Sequence, residues 1–130
     1  MVLTEKDASI AYAKAWNRLD CSDFLTLLDE NAHYASQWVF EELESKEAIS
    51  EYLLEKMKTV ESSGSKVYAE LGNTGKSSAF PGRDCVLLAE GEEIDINATI
   101  VFDVRNGKIT RFDLCMPSLL NVMRTGIYPI

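Results

Sequence analysis

A chain of 130 residues with 46% hydrophobic and 26% charged side chains has the balance of one soluble globular domain with a sizeable core. Its formal net charge of −8 repels phosphate backbones and anionic surfaces, so neither nucleic acid nor membrane is expected as a partner. Cys21, Cys85 and Cys115 are odd in number and widely spaced, which argues against a disulfide framework and fits a reducing cytoplasm.

The opening MVLTEKDASI lacks the basic start and apolar run of a signal peptide, and no apolar run reaches bilayer length; a cytoplasmic location is expected. Thr4 reads as an N-cap with Asp7 as its N3 partner. Ile10, Ala13 and Trp16, with Ala11 and Ala15, form a helical apolar stripe up to Leu19. Asp20 and Ser22 read as turn and cap of a shorter helix that buries Phe24, Leu27 and Leu28. NAHYASQWVF, rich in β-formers, predicts a strand. Ser45 caps a third helix, with Ala48, Ile49, Tyr52, Leu53, Lys56 and Met57 at helical spacing, and ESSGS ends it.

The second half changes period. KVYAEL and DCVLLAE read as strands, separated by the loop GNTGKSSAFPGR. In IDINATIVFDV, Ile94, Ile96, Ala98, Ile100 and Phe102 alternate with Asp95, Asn97, Thr99, Val101 and Asp103. Asn106-Gly107 is a hairpin signal, and KITRFDLCM is the returning strand. Pro117 opens an expected short helix, SLLNVMR, within a C-terminal extension over 117–130. No repeat or second-domain linker interrupts 1–130, which reads as a single domain. Helices followed by a mainly antiparallel sheet predict an α+β fold, with helices on one face of the sheet. If that sheet is strongly curved, its hollow side encloses a cavity suited to a small ligand.

The segments AYAKAWNRLDCSDFLTLLDENAHY, SKEAISEYL and VFDVRNGKITRF resemble the nuclear-transport-factor-2-like, or cystatin-like, superfamily in its SnoaL-like and ketosteroid-isomerase-like branch. Asp20 and DENA fit the family's pattern, while Ser45 stands near its usual glycine. The resemblance extends to about Met116 and implies helices packed in the concave face of a curved sheet, a ligand cavity and a homodimer. It also places Tyr12 at the isomerase's oxyanion-stabilising tyrosine, Ser36 at its general base, and Thr99 near its second oxyanion acid. Serine and threonine are poor replacements for those carboxyl groups, so steroid isomerisation is not expected.

Alternation puts Tyr34, Ser36 and Trp38 on one face of the first strand, with His33, Ala35 and Gln37 on the other. If Ser36 holds the family's position, Tyr34 and Trp38 are pocket wall; otherwise they are core. His33 then lies on the opposite face, as a general base or a surface histidine. Glu41 and Glu42 belong to a cavity rim or to a solvated loop. Trp16 lies one helical turn from Tyr12 and shares its face. Asn97 and Thr99 line the cavity if their face of the sheet does, and Asp113 is then the candidate acid or base; otherwise this is the wet face. With one histidine and no CxxC pair, no metal is expected, and no cofactor.

Two functions stand open. One is a binder of a small apolar or partly polar molecule, able to act as an isomerase, cyclase or dehydratase, with Tyr12 donating to an oxygen and Asp113 handling a proton. The other is a non-catalytic homodimeric module that binds a ligand or a protein.

Overall fold

The computed structural model describes residues 2–36, 41–75, 81–92, 95–116 and 122–129. Helix α1 (Glu5–Arg18) starts where expected: the Thr4 side chain accepts from the Asp7 amide, and Asp7 accepts from the Thr4 amide. Leu19 closes α1 in the left-handed conformation, at φ 52°. Helix α2 (Ser22–Leu25) is a single turn. Its N-cap is Cys21, not Ser22, because the Asp20 carboxylate accepts from both the Ser22 amide and its hydroxyl and forms a local turn instead. Leu28, expected in that helix, already begins strand β1 (Leu28–Ser36). Helix α3 (Lys46–Ser62) is capped by Ser45, whose hydroxyl accepts from the Ala48 amide.

Strands β2 (Val67–Asn73), β3 (Asp84–Glu90), β4 (Ile96–Arg105), β5 (Lys108–Cys115) and β6 (Met123–Arg124) complete a curved sheet of order β1-β5-β4-β3-β2-β6. All pairings are antiparallel except β1 with β5. The β4–β5 turn uses Asn106 and Gly107 at φ 52° and 75°, the positive pair that a two-residue hairpin needs.

Helix α1 lies across β2, β3 and β4, and α3 packs on β1. The main core is therefore on one face of the sheet, where Tyr12, Phe24, Ile49, Leu53, Ile100, Phe102, Ile109 and Phe112 are buried. Each such side chain contributes about 1.5–3 kcal/mol of apolar burial. A second cluster occupies the outer face, with Cys85, Leu87 and Val101 beneath Ile96, Cys115 and Val122.

The expected C-terminal helix is corrected where it is described. Residues 117–121 lie outside the described residues, but Met123 and Arg124 form β6 against Gly72 and Asn73 of β2. An uncovered edge strand exposes unpaired backbone groups, and β6 covers those at the Gly72–Asn73 end of β2. Gly72 permits the approach: a Cβ there would lie 2.9 Å from Leu87 Cγ and 3.1 Å from the Met123 carbonyl.

Candidate functional site

A cavity of about 360 Å³ lies between α1, α3 and the inner face of the sheet. Its size falls in the lower range for small-molecule sites. Helix α1 presents Tyr12 and Trp16 to it, one turn apart, with ring centroids separated by 6.4 Å. Tyr34 enters from β1, stacked on Phe112 at 4.4 Å. Its backbone is held on one side by β5 and on the other by Leu43, whose N–H and carbonyl pair with those of Tyr34, each at 2.9 Å. Helix α3 adds Tyr52 and, one turn later, Lys56; the Lys56 ammonium donates to the Tyr52 hydroxyl at 3.3 Å. Leu88, Ala98 and Leu114 supply apolar wall from the sheet, and the exposed Glu90 and Asn97 stand at the rim.

Tyr12 and Tyr34 stay neutral phenols. Burial pushes Tyr12 and Tyr34 well above the usual tyrosine value, and the nearby phenols push the same way. The Tyr34 hydroxyl is within hydrogen-bonding reach of Ser36 and Tyr52. The Trp16 indole lies close enough to the Tyr12 oxygen to favour its anion, yet its N–H meets no acceptor at hydrogen-bond geometry among the described residues. Glu90 is the one carboxylate on the cavity wall among the described residues.

Residues 10–112 match the family model for the SnoaL-like domain. The chain belongs to the SnoaL-like domain family. No curated protein matches it in sequence. Solved structures share its cystatin-like fold at low identity. A SnoaL-like protein of unknown function from Burkholderia thailandensis is 16% identical with a TM-score of 0.63, covering 89% of this chain and 98% of its own. An uncharacterised cystatin-fold protein from Novosphingobium aromaticivorans is 14% identical with a TM-score of 0.62, over 87% and 98%. A protein provisionally named a polyketide cyclase, from Sinorhizobium meliloti, is 15% identical with a TM-score of 0.58, over 84% and 94%.

Within this SnoaL-like domain, Tyr12, Trp16, Tyr34 and Asn97 line one cavity. Asn97 arrives there by a different route from the one expected. Ala98 pairs with Leu88 and Ile96 with Ala89, so Asn97 is an extra residue, a β-bulge. The bulge turns Asn97 to the same side as Ala98 and sends Ile96 to the outer cluster, breaking the strict alternation of β4. Thr99 therefore does not share Asn97's face. It is fully buried opposite Leu87 and Cys115, with no partner for its hydroxyl among the described residues. Ser36, two residues on from Tyr34 along β1, is not among the residues that line the cavity. Trp38 lies outside the described residues.

Asp113 does not reach the cavity. Phe112 points into the core, so alternation sends Arg111 and Asp113 to the outer face. There the Asp113 carboxylate accepts from the Arg111 guanidinium at 2.9 Å. Arg111 also pairs with Glu42 at 2.8 Å, and Glu42 with His33 Nδ1 at 2.6 Å. Contact with His33 and then Arg111 holds Glu42 below the usual carboxylate range. Glu42 thus joins Arg111 and His33 and is not on the cavity wall, while Glu41 is exposed. Ligand atoms of His33, Glu42 and Glu44 lie within 4.8 Å of one another, but the guanidinium already on Glu42 competes with any cation there. Burial raises all three cysteines, Cys85 to about 12, which makes them poor nucleophiles.

Sequence reasoning missed Tyr52, Lys56 and Glu90 as cavity residues. The helical period of α3 assigns Tyr52 and Lys56 correctly to one face but does not show that the face borders a hollow. Glu90, at the end of β3, carries no local signal.

Proposed function

We infer that this SnoaL-like domain binds a small, largely apolar molecule in the cavity between α1, α3 and the sheet. The observation that carries this reading is the asymmetry of the wall. Tyr12, Trp16 and Tyr34 are nearly fully buried at one end, whereas Lys56, Glu90 and Asn97 are exposed at the other. Such a site shelters an apolar body and leaves the mouth wet. The name of the Sinorhizobium relative agrees with a cavity of this kind. The test is uptake of the apolar fluorophore N-phenyl-1-naphthylamine, together with native mass spectrometry of gently purified protein. Wild type should take up the dye, and Ala98→Phe, which fills the cavity, should not while keeping its circular dichroism. Equal uptake by the folded Ala98→Phe protein would rule the site out.

A second reading is acid–base turnover, as in an isomerase, cyclase or dehydratase. One observation favours it: Glu90 borders the same hollow as the Tyr12 phenol, so a proton acceptor and a donor face a common space. On this reading Glu90→Gln retains ligand and loses product formation.

A further inference from the structure

The mouth of the cavity carries two opposite charges that do not meet. Lys56 stands on α3 and Glu90 ends β3, on different walls of the same opening. Among the described residues, neither forms an ion pair with the other or with any third group. Both are placed by regular structure. The Lys56 ammonium lies over the Tyr52 ring, 5.6 Å from its centroid, and donates to its hydroxyl. Glu90 is paired with Val67 in the β2–β3 ladder, and just beyond it the Gly91 amide donates to the Lys66 carbonyl at 3.0 Å. Farther out, Lys66 and Glu92 pair with each other at 3.6 Å and so leave the first two unanswered. Asn97 reaches the same mouth through its bulge, a device that re-aims side chains beside functional sites. Its amide offers both donors and an acceptor. A ligand with a single charge would satisfy one of Lys56 and Glu90 and stand beside the other as a like charge. A ligand carrying a cation and an anion close together answers both. It also keeps both charges at the wet mouth, where the cost of losing water is small.

We propose that the mouth holds the head of a zwitterionic ligand, an α-amino acid with an aromatic side chain, its carboxylate on Lys56 and its ammonium on Glu90. The side chain enters the cavity between Trp16 and Tyr34, and the Asn97 amide bonds the head from the sheet side. This deepens the binding reading above and rests on it. Glu90 is then a binding group rather than a proton acceptor.

Three probes with one aromatic body test it: L-tryptophan, tryptamine, which lacks the carboxylate, and indole-3-propionate, which lacks the ammonium. Their affinities are measured by equilibrium dialysis against the full chain. Wild type should bind tryptophan about fivefold more tightly than either analogue, the scale of one solvent-exposed ion pair. That preference should shrink in about 1 M salt, where the screening length falls to about 3 Å. Glu90→Gln should reduce the preference for tryptophan over indole-3-propionate, and Lys56→Gln the preference for tryptophan over tryptamine. A change that merely loosened the wall would not divide the two ratios between the two variants. Equal affinities for the three probes overturn the proposal and leave the cavity reading standing, as does binding of none of them by protein that takes up N-phenyl-1-naphthylamine. Tightest binding of tryptamine or indole-3-propionate shows a single-charge site and overturns it too. Wild-type preferences that neither folded variant alters remove the roles given to Lys56 and Glu90. Protein that binds neither the dye nor any probe overturns both readings.

Discussion

Tyr12 makes edge contacts with Phe24 at 5.0 Å and Phe102 at 5.5 Å, so its ring is core while its hydroxyl borders the hollow. Burial in that position is what holds its phenol neutral far into the alkaline range, and Tyr34 shares it. The sign of the effect on stability follows. Below the ordinary value of 10.0 these phenols are neutral both folded and unfolded, and their contribution is complete. Above it the unfolded chain ionises while the folded one does not, so stability falls as pH rises towards the folded values. Of the five tyrosines, Tyr12 and Tyr34 should stay silent in an alkaline ultraviolet titration until the chain unfolds. Tyr12→Phe should reduce the late-titrating group by one. Phenolate absorbance from all five before loss of circular dichroism would contradict this. Tyr12 and Trp16 were legible as a pair because helical spacing alone gives them a common face. Asp113 was not: a carboxylate on a strand reads the same whether it faces a cavity or, as here, Arg111.

At the scale of elements, two local departures shape the molecule. The bulge at Asn97 gives β4 two consecutive residues on the cavity side, which a strict period of two cannot predict. The C-terminal segment is the other. Arg124 of β6 pairs with Glu70, a carboxylate only 1% exposed that also accepts from the Tyr68 hydroxyl at 3.0 Å. Asn17 of α1 bonds the Pro129 carbonyl and the Ala69 carbonyl, both at 2.9 Å, so the tail is tied to the helix that carries Tyr12 and Trp16. Arg124→Ala should cost about 1–3 kcal/mol in urea denaturation, since it leaves a buried carboxylate without its cation while the arginine itself is half exposed. Adding Glu70→Gln should recover part of that loss. A single variant as stable as wild type would show that the pair contributes nothing.

For the whole molecule, the expectation of a homodimer comes from the family resemblance alone, and it can be tested on the surface that remains. On the outer sheet face Cys85, Leu87 and Val101 are already covered within one chain. Met116, Met123, Ile127 and Tyr128 stay exposed and are the apolar side chains a partner copy would cover. Sedimentation velocity is expected to show a dimer that Met123→Glu with Ile127→Glu converts to monomer; a monomeric wild type would remove the expectation. By itself the sequence determined the class of fold, most of the helices and strands, the β4–β5 turn and the face shared by Tyr12 and Trp16. These follow from caps, turn residues and periodicity, which act over a few neighbouring positions. Only the tertiary structure decided that Glu90, Lys56 and Tyr52 border the hollow, that Asp113 and Thr99 do not, and that the tail is a strand. Those outcomes depend on a one-residue bulge, a parallel β1–β5 pairing and an ion-pair chain between distant segments, and no local pattern encodes which strand will lie beside which.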